Sequence, residues 1–471
     1  MKNKPLATVG GPVLFILCYF LLPESVFGSE EACAAIGTVA WMALWWITEA
    51  VGFAVTAFLP IAINALFQIT DMSSVIANYA SETILLLLGA SIITASWDET
   101  GLDKRIAAKF LSLIGSRLSH QIIFWFVLCA LLSAILPNAV VCAAMTPIAV
   151  SMLRYAGEKD IAKSRYGSLI LLTIAYATGV GGLASPLGGA MNLVTVDYLE
   201  QITGKEYMYS SWVIRFLPIM IVLIFSNIIM LLIGCKKSDK LGESKAYFIN
   251  QYNAMQKMQK EEKLSLALFL IATTLSFTRQ FYQEYLPGLK PAYVFIICAI
   301  LSFFITRSDG TRLMNWKNTQ KKIVWDLIYV FAGGLALGTL INGSGAAKAI
   351  GNLVAKADFT GGFVLVLAII SLTVILSDVT SNTATAAVAM PIVIGIINGI
   401  GANPIPYIYI ASIGVNLSYM LPTSIRAIPV GYGLEPKYML KKGIPITVVV
   451  IILMSVIGYV LLKFWPAFST V

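Results

Sequence analysis

Long apolar runs alternate along the chain with short loops that carry nearly all of its charges. Asp, Glu, Lys and Arg are absent from residues 5–23, 50–70, 121–153, 166–196, 216–235, 327–347, 359–377 and 379–425. A helix crosses a bilayer with roughly 20 apolar residues, so several of these runs hold more than one crossing. The pattern predicts an all-α polytopic membrane protein with about 11 transmembrane helices.

Two of the longest runs contain a polar interruption. Residues 380–392 read TSNTATAAVAMPI, and residues 136–148 read LPNAVVCAAMTPI. The apolar segments on either side are too short or too broken to count as full spans. Non-helical backbone is tolerated at membrane depth only where protein or a cavity surrounds it. We therefore predict two re-entrant hairpins, each with a polar elbow between two helical arms.

Such an elbow offers ligands for ions of both signs. Its unpaired amide N–H groups and helix N-termini favour anions, and its carbonyl and hydroxyl oxygens suit a small hard cation. Ser and Thr in membrane helices also pack helices together and bond to their own backbone, which is the simpler explanation for any single hydroxyl. For an Asn at the same place in both elbows, Asn138 and Asn382, a binding role is favoured.

The two elbows belong to an internal duplication. Matching residues stand 244 positions apart in six pairs: Glu82 and Asp326, Gly89 and Gly333, Gly101 and Gly345, Ser133 and Ser377, Asn138 and Asn382, and Pro147 and Pro391. The loop 71–82 before the first copy has no Lys or Arg, whereas the loop 307–325 before the second has five. Because basic loops stay in the cytoplasm, the copies are predicted to start on opposite sides of the membrane. Inverted repeats are typical of secondary transporters, and the charged segment 236–263 separates the copies.

Composition and charge support this topology and exclude other classes of protein. With 58% hydrophobic residues, 12% charged residues and a mean hydropathy of +0.82, the chain is not an ordinary soluble enzyme. The net charge of +9 comes from basic loops that alternate with uncharged or acidic ones, which indicates membrane topology rather than a nucleic-acid partner. We predict a protein of the cell (inner) membrane with a cytoplasmic N-terminus, read as a retained first helix, and an extracytoplasmic C-terminus.

The candidate chemistry is that of a carrier. The six Cys have no metal-ligand spacing, and the single His, His120, follows a basic amphipathic segment. The sequence lacks HExxH, Gly-x-Gly-Asp, DDxxD and P-loop motifs, which argues against an intramembrane enzyme and against an ATP-driven pump. No cofactor is expected apart from a coupling cation, and the expected partners are a small anion and the lipid bilayer.

Four stretches resemble one transporter family. They are WWITEAVGFAVTAFLP at 45–60, LLLLGASIITASWDETGLDKRIA at 85–107, TGVGGLASPLGGAMNLV at 178–194 and SNTATAAVAMPI at 381–392. Together they are similar to the divalent anion/sodium symporter family, which carries dicarboxylates, citrate and sulfate. The resemblance implies a homodimer that works as an elevator coupled to Na⁺. It also implies a scaffold of residues 1–120 and 236–358 and a transport domain of residues 121–235 and 359–471.

The resemblance further implies particular ligands. A first sodium site is expected from Ser133, Pro137, Asn138 and Gly188, and a second from Ser377, Thr380, Asn382 and Ser424. The substrate is expected to contact Asn138, Gly189, Ser381, Asn382, Thr383, Thr423, Ser424 and Arg426. The chain departs from the family at the first elbow, which lacks the two hydroxyls, and at two loop threonines, which correspond to Gly189 and Ile425.

Arg426 is the only charged residue between Asp378 and Glu435. An Arg at the centre of a membrane helix costs about 2.5–3.5 kcal/mol, so such a residue persists near a cavity, a partner or the interface. It is expected to grip a substrate carboxylate, to stand in for a sodium ion, or to reach the membrane surface or Asp378. Asp378 is either a proton-linked or cation-binding carboxylate or the partner of a nearby donor.

The sequence therefore predicts a secondary active transporter that moves an organic anion, such as a di- or tricarboxylate, together with Na⁺. Two alternatives stay open: a sodium-independent anion exchanger that uses Arg426 in place of a cation, and a carrier of an inorganic anion such as sulfate. The lost hydroxyls and the added guanidinium favour a substrate other than plain succinate.

Overall fold

The computed structural model describes residues 4–112, 115–242, 244–307, 309–349 and 362–471. Over these residues the chain forms helices and loops, with two isolated bridges and no β-strand. The predicted all-α class is therefore confirmed. The expected domain boundary between residues 358 and 359 lies outside the described residues.

The described helices occur in the following order. Those before residue 240 are α1 (Lys4–Leu21), α2 (Glu24–Phe27), α3 (Glu30–Thr48), α4 (Phe53–Thr56), α5 (Leu59–Phe67), α6 (Met72–Ala77), α7 (Glu82–Thr100), α8 (Leu102–Leu111), α9 (Leu118–Ser133), α10 (Asn138–Tyr155), α11 (Arg165–Gly182), α12 (Ala190–Thr203) and α13 (Tyr209–Leu232). Those after it are α14 (Ser244–Ala254), α15 (Lys260–Phe277), α16 (Pro291–Ser302), α17 (Trp316–Thr319), α18 (Trp325–Gly343), α19 (Phe363–Val379), α20 (Asn382–Gly399), α21 (Pro404–Asn416), α22 (Ala427–Gly431) and α23 (Pro436–Phe464).

Local sequence explains several helix ends. Ser164 accepts a hydrogen bond at 2.8 Å from the N–H of Gly167 at the start of α11, and a serine side chain is a preferred helix cap for this reason. At its C-terminal end, α7 stops at Gly101, whose φ of 73° lies in the left-handed region that favours glycine. The lengths of the helices are thus largely determined by the residues at their ends.

Seven segments of the described chain are long and apolar enough to cross a membrane: Glu30–Thr48, Met72–Thr100, Asn138–Tyr155, Tyr209–Leu232, Trp325–Gly343, Asn382–Gly399 and Pro436–Phe464. Five shorter apolar helices accompany them. The chain is therefore a multi-pass membrane protein. The number of about 11 crossings, the re-entrant path of the hairpins and the side on which each terminus lies stay predictions.

Two hydrophobic cores hold the helices together. The smaller one joins α1, α3 and α5 to α18 and includes Phe15, Met42, Trp46 and Leu340. The larger one runs from α7 to α23 and contains most of the other buried apolar side chains. Helix α18 contributes to both cores and packs against α20. It therefore connects the N-terminal helices to the part of the molecule that contains the second polar elbow.

Four elements position the polar residues. Hairpin 1 consists of α9, the elbow 134–137 and α10, and hairpin 2 consists of α19, the elbow 380–381 and α20. Broken helix 1 consists of α11, the loop 183–189 and α12, and broken helix 2 consists of α21, the loop 417–426 and α22. In each half of the chain, the first arm of the hairpin packs against the first part of the broken helix.

The two hairpins agree in detail. The second arm of each begins at the matching asparagine, Asn138 or Asn382, and contains the matching proline, Pro147 or Pro391. The duplication in the sequence therefore has a structural counterpart. That the two copies run in opposite directions through the membrane stays a prediction.

Candidate functional site

The carbonyl group of Ser133 ends the first arm of hairpin 1 without a hydrogen-bond donor. In a continuing α-helix its oxygen accepts from the N–H of the residue four positions later, and that residue is Pro137, which has no N–H. No other hydrogen bond within the described part of the chain reaches this oxygen. The Ser133 hydroxyl, in contrast, donates to the carbonyl of Thr178 at 2.8 Å. A buried carbonyl oxygen left unpaired costs about 1–3 kcal/mol, so a ligand that binds it is stabilising.

The loop of broken helix 1 brings a second carbonyl oxygen to the same place. A Cβ added to Gly188 would lie 2.7 Å from the Ser133 oxygen, and one added to Gly182 would lie 2.9 Å from the Gly188 oxygen. No hydrogen bond from the described residues reaches the Gly188 oxygen. Glycine is required at both positions because a side chain would collide with these backbone atoms. Two carbonyl oxygens without a hydrogen-bond donor among the described residues, those of Ser133 and Gly188, therefore lie beside these closely packed glycines.

Asn138 completes this group from the start of α10. Its Nδ2 atom lies 3.4 Å from the Cβ position of Gly182 and 3.6 Å from that of Gly189. Its side-chain amide makes no hydrogen bond to the described residues, so it is available to a ligand. The carbonyl of Pro137 is differently engaged, because it accepts from the N–H groups of residues 140 and 141 at 3.0 and 3.2 Å. Three of the four residues of the predicted first sodium site thus lie together around shared space.

Two hydrogen bonds occur in both halves and attach each hairpin to its broken helix in the same way. One runs from a serine hydroxyl to a carbonyl of the broken helix: Ser133 to Thr178 at 2.8 Å, and Ser377 to Val415 at 2.6 Å. The other runs from a loop hydroxyl to the carbonyl of the next residue in the hairpin: Ser185 to Ala134 at 2.6 Å, and Thr423 to Asp378 at 2.9 Å. Residues 133 and 134 therefore match residues 377 and 378 in contacts as well as in their positions within the repeat.

Arg426 is 1% exposed, and neutral acceptors of the second half hold its guanidinium. Nε donates to the Leu421 carbonyl at 3.1 Å. Nη2 donates to the Thr423 hydroxyl at 2.8 Å and to the Ser377 carbonyl at 3.3 Å. Nη1 finds no acceptor among the described residues, and none of their carboxylates lies within 4.0 Å of the guanidinium. The side chain is thus buried inside the protein and is not in an ion pair with Asp378.

Asp378 acts on the loop of broken helix 2. Its Oδ1 atom accepts the N–H groups of Tyr419 and Met420, each at 2.8 Å. Its Oδ2 atom is buried and has no hydrogen-bond partner. The carboxylate therefore orients the loop that carries Arg426 and keeps one oxygen available.

Hairpin 2 and its surroundings contain further buried polar atoms without a partner: Thr380 Oγ1, Asn382 Nδ2, Thr385 Oγ1 and Asn416 Oδ1. The other amide atom of Asn382, Oδ1, accepts from the Ser418 hydroxyl at 3.3 Å. Ser381 caps α20 by accepting from the N–H of Ala384 at 3.1 Å, and Thr383 is buried beside it. Unpaired buried donors and acceptors are uncommon in proteins, and their presence here indicates a ligand site.

Two asparagines that the sequence analysis did not select connect the halves. Asn416 Nδ2 donates to Asn192 Oδ1 at 2.7 Å. Asn192 Nδ2 donates in turn to the carbonyls of Gly182 and Ser185, at 2.7 and 2.8 Å. Both asparagines stand in charge-free runs of the sequence. A strongly polar amide in such a run is the signal that points to them, because a buried amide needs partners.

The loop of broken helix 2 lies against hairpin 1. The Cys142 thiol, on α10, donates to the Ile425 carbonyl at 3.5 Å. The preceding residue, Ser424, has an exposed side chain and a φ of 53°, a backbone conformation that non-glycine residues seldom adopt. Strained residues of this kind concentrate at functional loops. The loop that carries the predicted substrate residues Thr423, Ser424 and Arg426 thus contacts the second arm of hairpin 1.

Three cavities lie beside these elements. The first, of about 60 Å³, lies between Trp97 and Val140. The second, of about 380 Å³, lies between Lys104 and Pro147. The third, of about 240 Å³, lies between Glu82 and Asp197. In each case one wall belongs to the predicted scaffold and the other to the predicted transport domain. The packing along this boundary is therefore incomplete.

Comparisons with known proteins agree on one family. The profile described as citrate transporter (CitMHS) matches residues 43–414. The chain is 27% identical over 469 residues to the sodium-dependent dicarboxylate transporter SdcS of Staphylococcus saprophyticus, covering 96% of this chain and 90% of the relative. It is 28% identical over 485 residues to the SdcS protein of Staphylococcus aureus strain MRSA252, covering 98% and 93%.

A solved structure is similar in fold. The YdaH transporter of Alcanivorax borkumensis superposes with a TM-score of 0.50 and 12% sequence identity, covering 84% of this chain and 88% of that one. At this identity the likeness concerns the fold alone. It is consistent with a polytopic transporter architecture for the described helices.

Proposed function

The chain belongs to the citrate transporter family, as its resemblance to divalent anion/sodium symporters predicts, and from this premise we propose that it carries a carboxylate anion across the membrane together with Na⁺. Family membership makes it a transporter and not an enzyme. The names of the two Staphylococcus relatives support a sodium-dependent carrier of dicarboxylates. The proposed substrate class is a di- or tricarboxylate or a related carboxylate.

Sodium coupling rests on the free carbonyl oxygen of Ser133. Pro137 removes its donor, and the Gly188 carbonyl and the Asn138 amide lie beside it. Uncharged carbonyl and amide oxygens grouped in this way are hard ligands suited to a small cation. Bound Na⁺ is coordinated by oxygens that otherwise have no hydrogen-bond donor, so these residues are suited to bind Na⁺ as a transported ion.

The anion is proposed to bind beside the two elbows, at the start of the second arm of each hairpin. The arms α10 and α20 begin at Asn138 and Asn382, and the first turn of a helix offers N–H groups and the positive end of the helix dipole. Nη1 of Arg426 is a further donor, suited to a carboxylate. The proposed substrate contacts are Asn138, Gly189, Ser381, Asn382, Thr383, Thr423, Ser424 and Arg426.

The proposed movement is that of an elevator. Residues 121–235 and 359–471 move as a transport domain against a scaffold of residues 1–120 and 236–358, and two chains associate as a homodimer. The three cavities along this boundary support the proposal, because incompletely packed surfaces slide more easily than interlocked ones. The charge of the loops supports a position in the cell membrane with the N-terminus in the cytoplasm and the C-terminus outside.

Uptake of radiolabelled succinate and citrate into proteoliposomes that contain the purified protein tests the proposal. We expect uptake to require an inward Na⁺ gradient and to fail when K⁺ replaces Na⁺. Absence of sodium-dependent uptake of any carboxylate contradicts the proposal. Counterflow that proceeds equally with and without Na⁺ indicates an exchanger instead.

A pair of asparagine variants links the uptake to the site. Asn138→Ala removes an amide from the group of free oxygens, and we expect the Na⁺ concentration for half-maximal uptake to rise at least about tenfold. Asn398→Ala is the matched control, since Asn398 is exposed at the far end of α20. An equal effect of both variants argues against a specific role for Asn138.

A further inference from the structure

Equivalent carbonyl groups in the two hairpins differ in their hydrogen bonds. Ser133 and Ser377 occupy matching places, because each serine hydroxyl donates to a broken-helix carbonyl in the same way. The Ser133 carbonyl accepts no hydrogen bond from the described residues, whereas the Ser377 carbonyl accepts one from Arg426 Nη2. In the second half, the arginine therefore donates to the carbonyl oxygen whose equivalent in the first half has no donor.

Both charged residues of this region are confined to the second half. Asp378 corresponds to Ala134, which stands 244 positions earlier. The loop hydroxyls of Ser185 and Thr423 match, so Arg426, three residues after Thr423, corresponds to Gly188, three residues after Ser185. One copy of the repeat therefore contains a buried guanidinium and a buried carboxylate, and the other copy contains glycine and alanine at the matching places.

We infer that the guanidinium of Arg426 is a built-in cation that replaces Na⁺ in the second half, so that the carrier binds and couples only the Na⁺ of the first half. The inference rests on the proposed function. An arginine side chain keeps its proton in proteins, and it cannot leave the chain. Its charge therefore travels with the transport domain in both directions, and oxygens of Ser377, Leu421 and Thr423 hold it in place of a second ion.

The hydrogen bonds distinguish this role from that of a plain substrate ligand. An arginine that only grips a carboxylate keeps the paired donors of its fork free for bidentate binding. Here Nε and Nη2 are bound to Leu421, Thr423 and Ser377, which belong to the loop and the hairpin of the same half. Only Nη1 remains for the anion, so the guanidinium connects the protein to the substrate as a bound cation does.

Asp378 positions this built-in cation without pairing with it. Its Oδ1 atom holds the N–H groups of Tyr419 and Met420, at the start of the loop that ends in Arg426. A direct ion pair would cancel the guanidinium charge at the place where the anion binds. The observed arrangement keeps the charge effective and orients the loop.

Counting bound sodium tests the inference directly. Equilibrium binding of radioactive Na⁺ to the purified wild-type protein, with saturating succinate or citrate, is expected to give about one Na⁺ per chain, and sodium-dependent uptake is expected to have a Hill coefficient of about 1. Two Na⁺ per chain overturns the inference and leaves the proposed function intact. No sodium-dependent uptake and no bound Na⁺ overturns both.

Two variants of Arg426 separate charge from side-chain size. Arg426→Ala opens the second site, so bound Na⁺ is expected to rise toward two per chain and the Hill coefficient toward 2. Arg426→Lys keeps a positive charge at this position, so we expect it to bind about one Na⁺ per chain with a Hill coefficient of about 1. A folded Arg426→Ala protein that still binds one Na⁺ overturns the inference. If this variant does not fold, the wild-type count decides alone.

Discussion

The side-chain nitrogen of Asn416 donates a hydrogen bond of 2.7 Å to the side-chain oxygen of Asn192 and thereby joins the two broken helices. Asn192 donates in turn to the carbonyl of Gly182, which belongs to the group of oxygens around Ser133. This buried contact connects the second half of the chain to the proposed sodium site of the first half. The proposed sodium site is thus connected by hydrogen bonds to the residue that precedes the loop carrying Arg426.

Removal of this link is expected to weaken sodium binding. In Asn416→Ala, Asn192 loses its partner and is free to turn away from Gly182. We expect the half-saturating Na⁺ concentration in uptake to rise about three- to tenfold, in keeping with the loss of a hydrogen bond worth roughly 1 kcal/mol. Asn403→Ala is the matched control, because Asn403 caps the opposite end of α21 and is remote from the site. An unchanged sodium dependence in Asn416→Ala excludes the link.

Pro137→Ala is expected to damage sodium binding while leaving the fold intact. The variant restores an N–H four residues after Ser133, and this N–H is able to occupy the carbonyl oxygen that the proline leaves free. We expect sodium-dependent uptake to fall at least about tenfold, whereas the melting temperature stays the same or rises. Pro23→Ala, at the exposed N-cap of α2, serves as the control. Wild-type sodium affinity in Pro137→Ala removes the main support for the proposed site.

Ser424 is expected to tolerate glycine better than a branched residue. Its φ of 53° suits glycine, so Ser424→Gly relieves backbone strain, and Ser424→Val adds to it. We expect thermal unfolding of the purified protein to show a difference of at least about 1 kcal/mol between these two variants. Ser424→Ala keeps the strained backbone without the hydroxyl, so its uptake reports separately on the proposed ligand role of that hydroxyl. Equal stabilities of the glycine and valine variants contradict the strained conformation.

Filling the cavity of about 60 Å³ between Trp97 and hairpin 1 is expected to slow transport. Val140→Trp places a large ring into this space and interlocks hairpin 1 with α7, since extra volume in a packed region resists movement. We expect the maximal uptake rate to fall about tenfold with little change in equilibrium sodium binding. Val140→Ala provides the control at the same position. If sodium binding and the maximal uptake rate are both lost, the substitution has deformed the binding site and has not simply blocked the movement.

Much of the fold was predictable because it depends on local pattern. The charge-free runs predicted an all-α membrane protein, and the described residues are helical with seven segments long enough to cross a membrane. The polar interruptions predicted where helices break, and the second arms begin at Asn138 and Asn382. These features follow from hydropathy and helix capping, which neighbouring residues largely determine.

Part of the candidate site was predictable for a different reason. Ser133, Asn138 and Gly188 were selected by resemblance, and the structure places them as neighbours around the glycines of the loop 183–189, whereas their role in binding stays a prediction. The orientation of Arg426 was not predictable, because the same side chain at that position in the sequence fits the membrane surface, an ion pair or a buried site. Its hydrogen bonds to Ser377 and Leu421 decide among these, and they depend on how the loop folds back onto hairpin 2.

Hydropathy, loop charge and motif spacing were enough to predict the class of protein, the family, the repeat and the positions of both elbows. Only the tertiary structure decided that Asn192 and Asn416, which stand 224 residues apart, are hydrogen-bonded, and that Asp378 holds a loop instead of pairing with Arg426. The physical reason is that hydropathy acts along the chain, whereas a buried polar group takes whichever partner the packing of distant helices brings within about 3 Å.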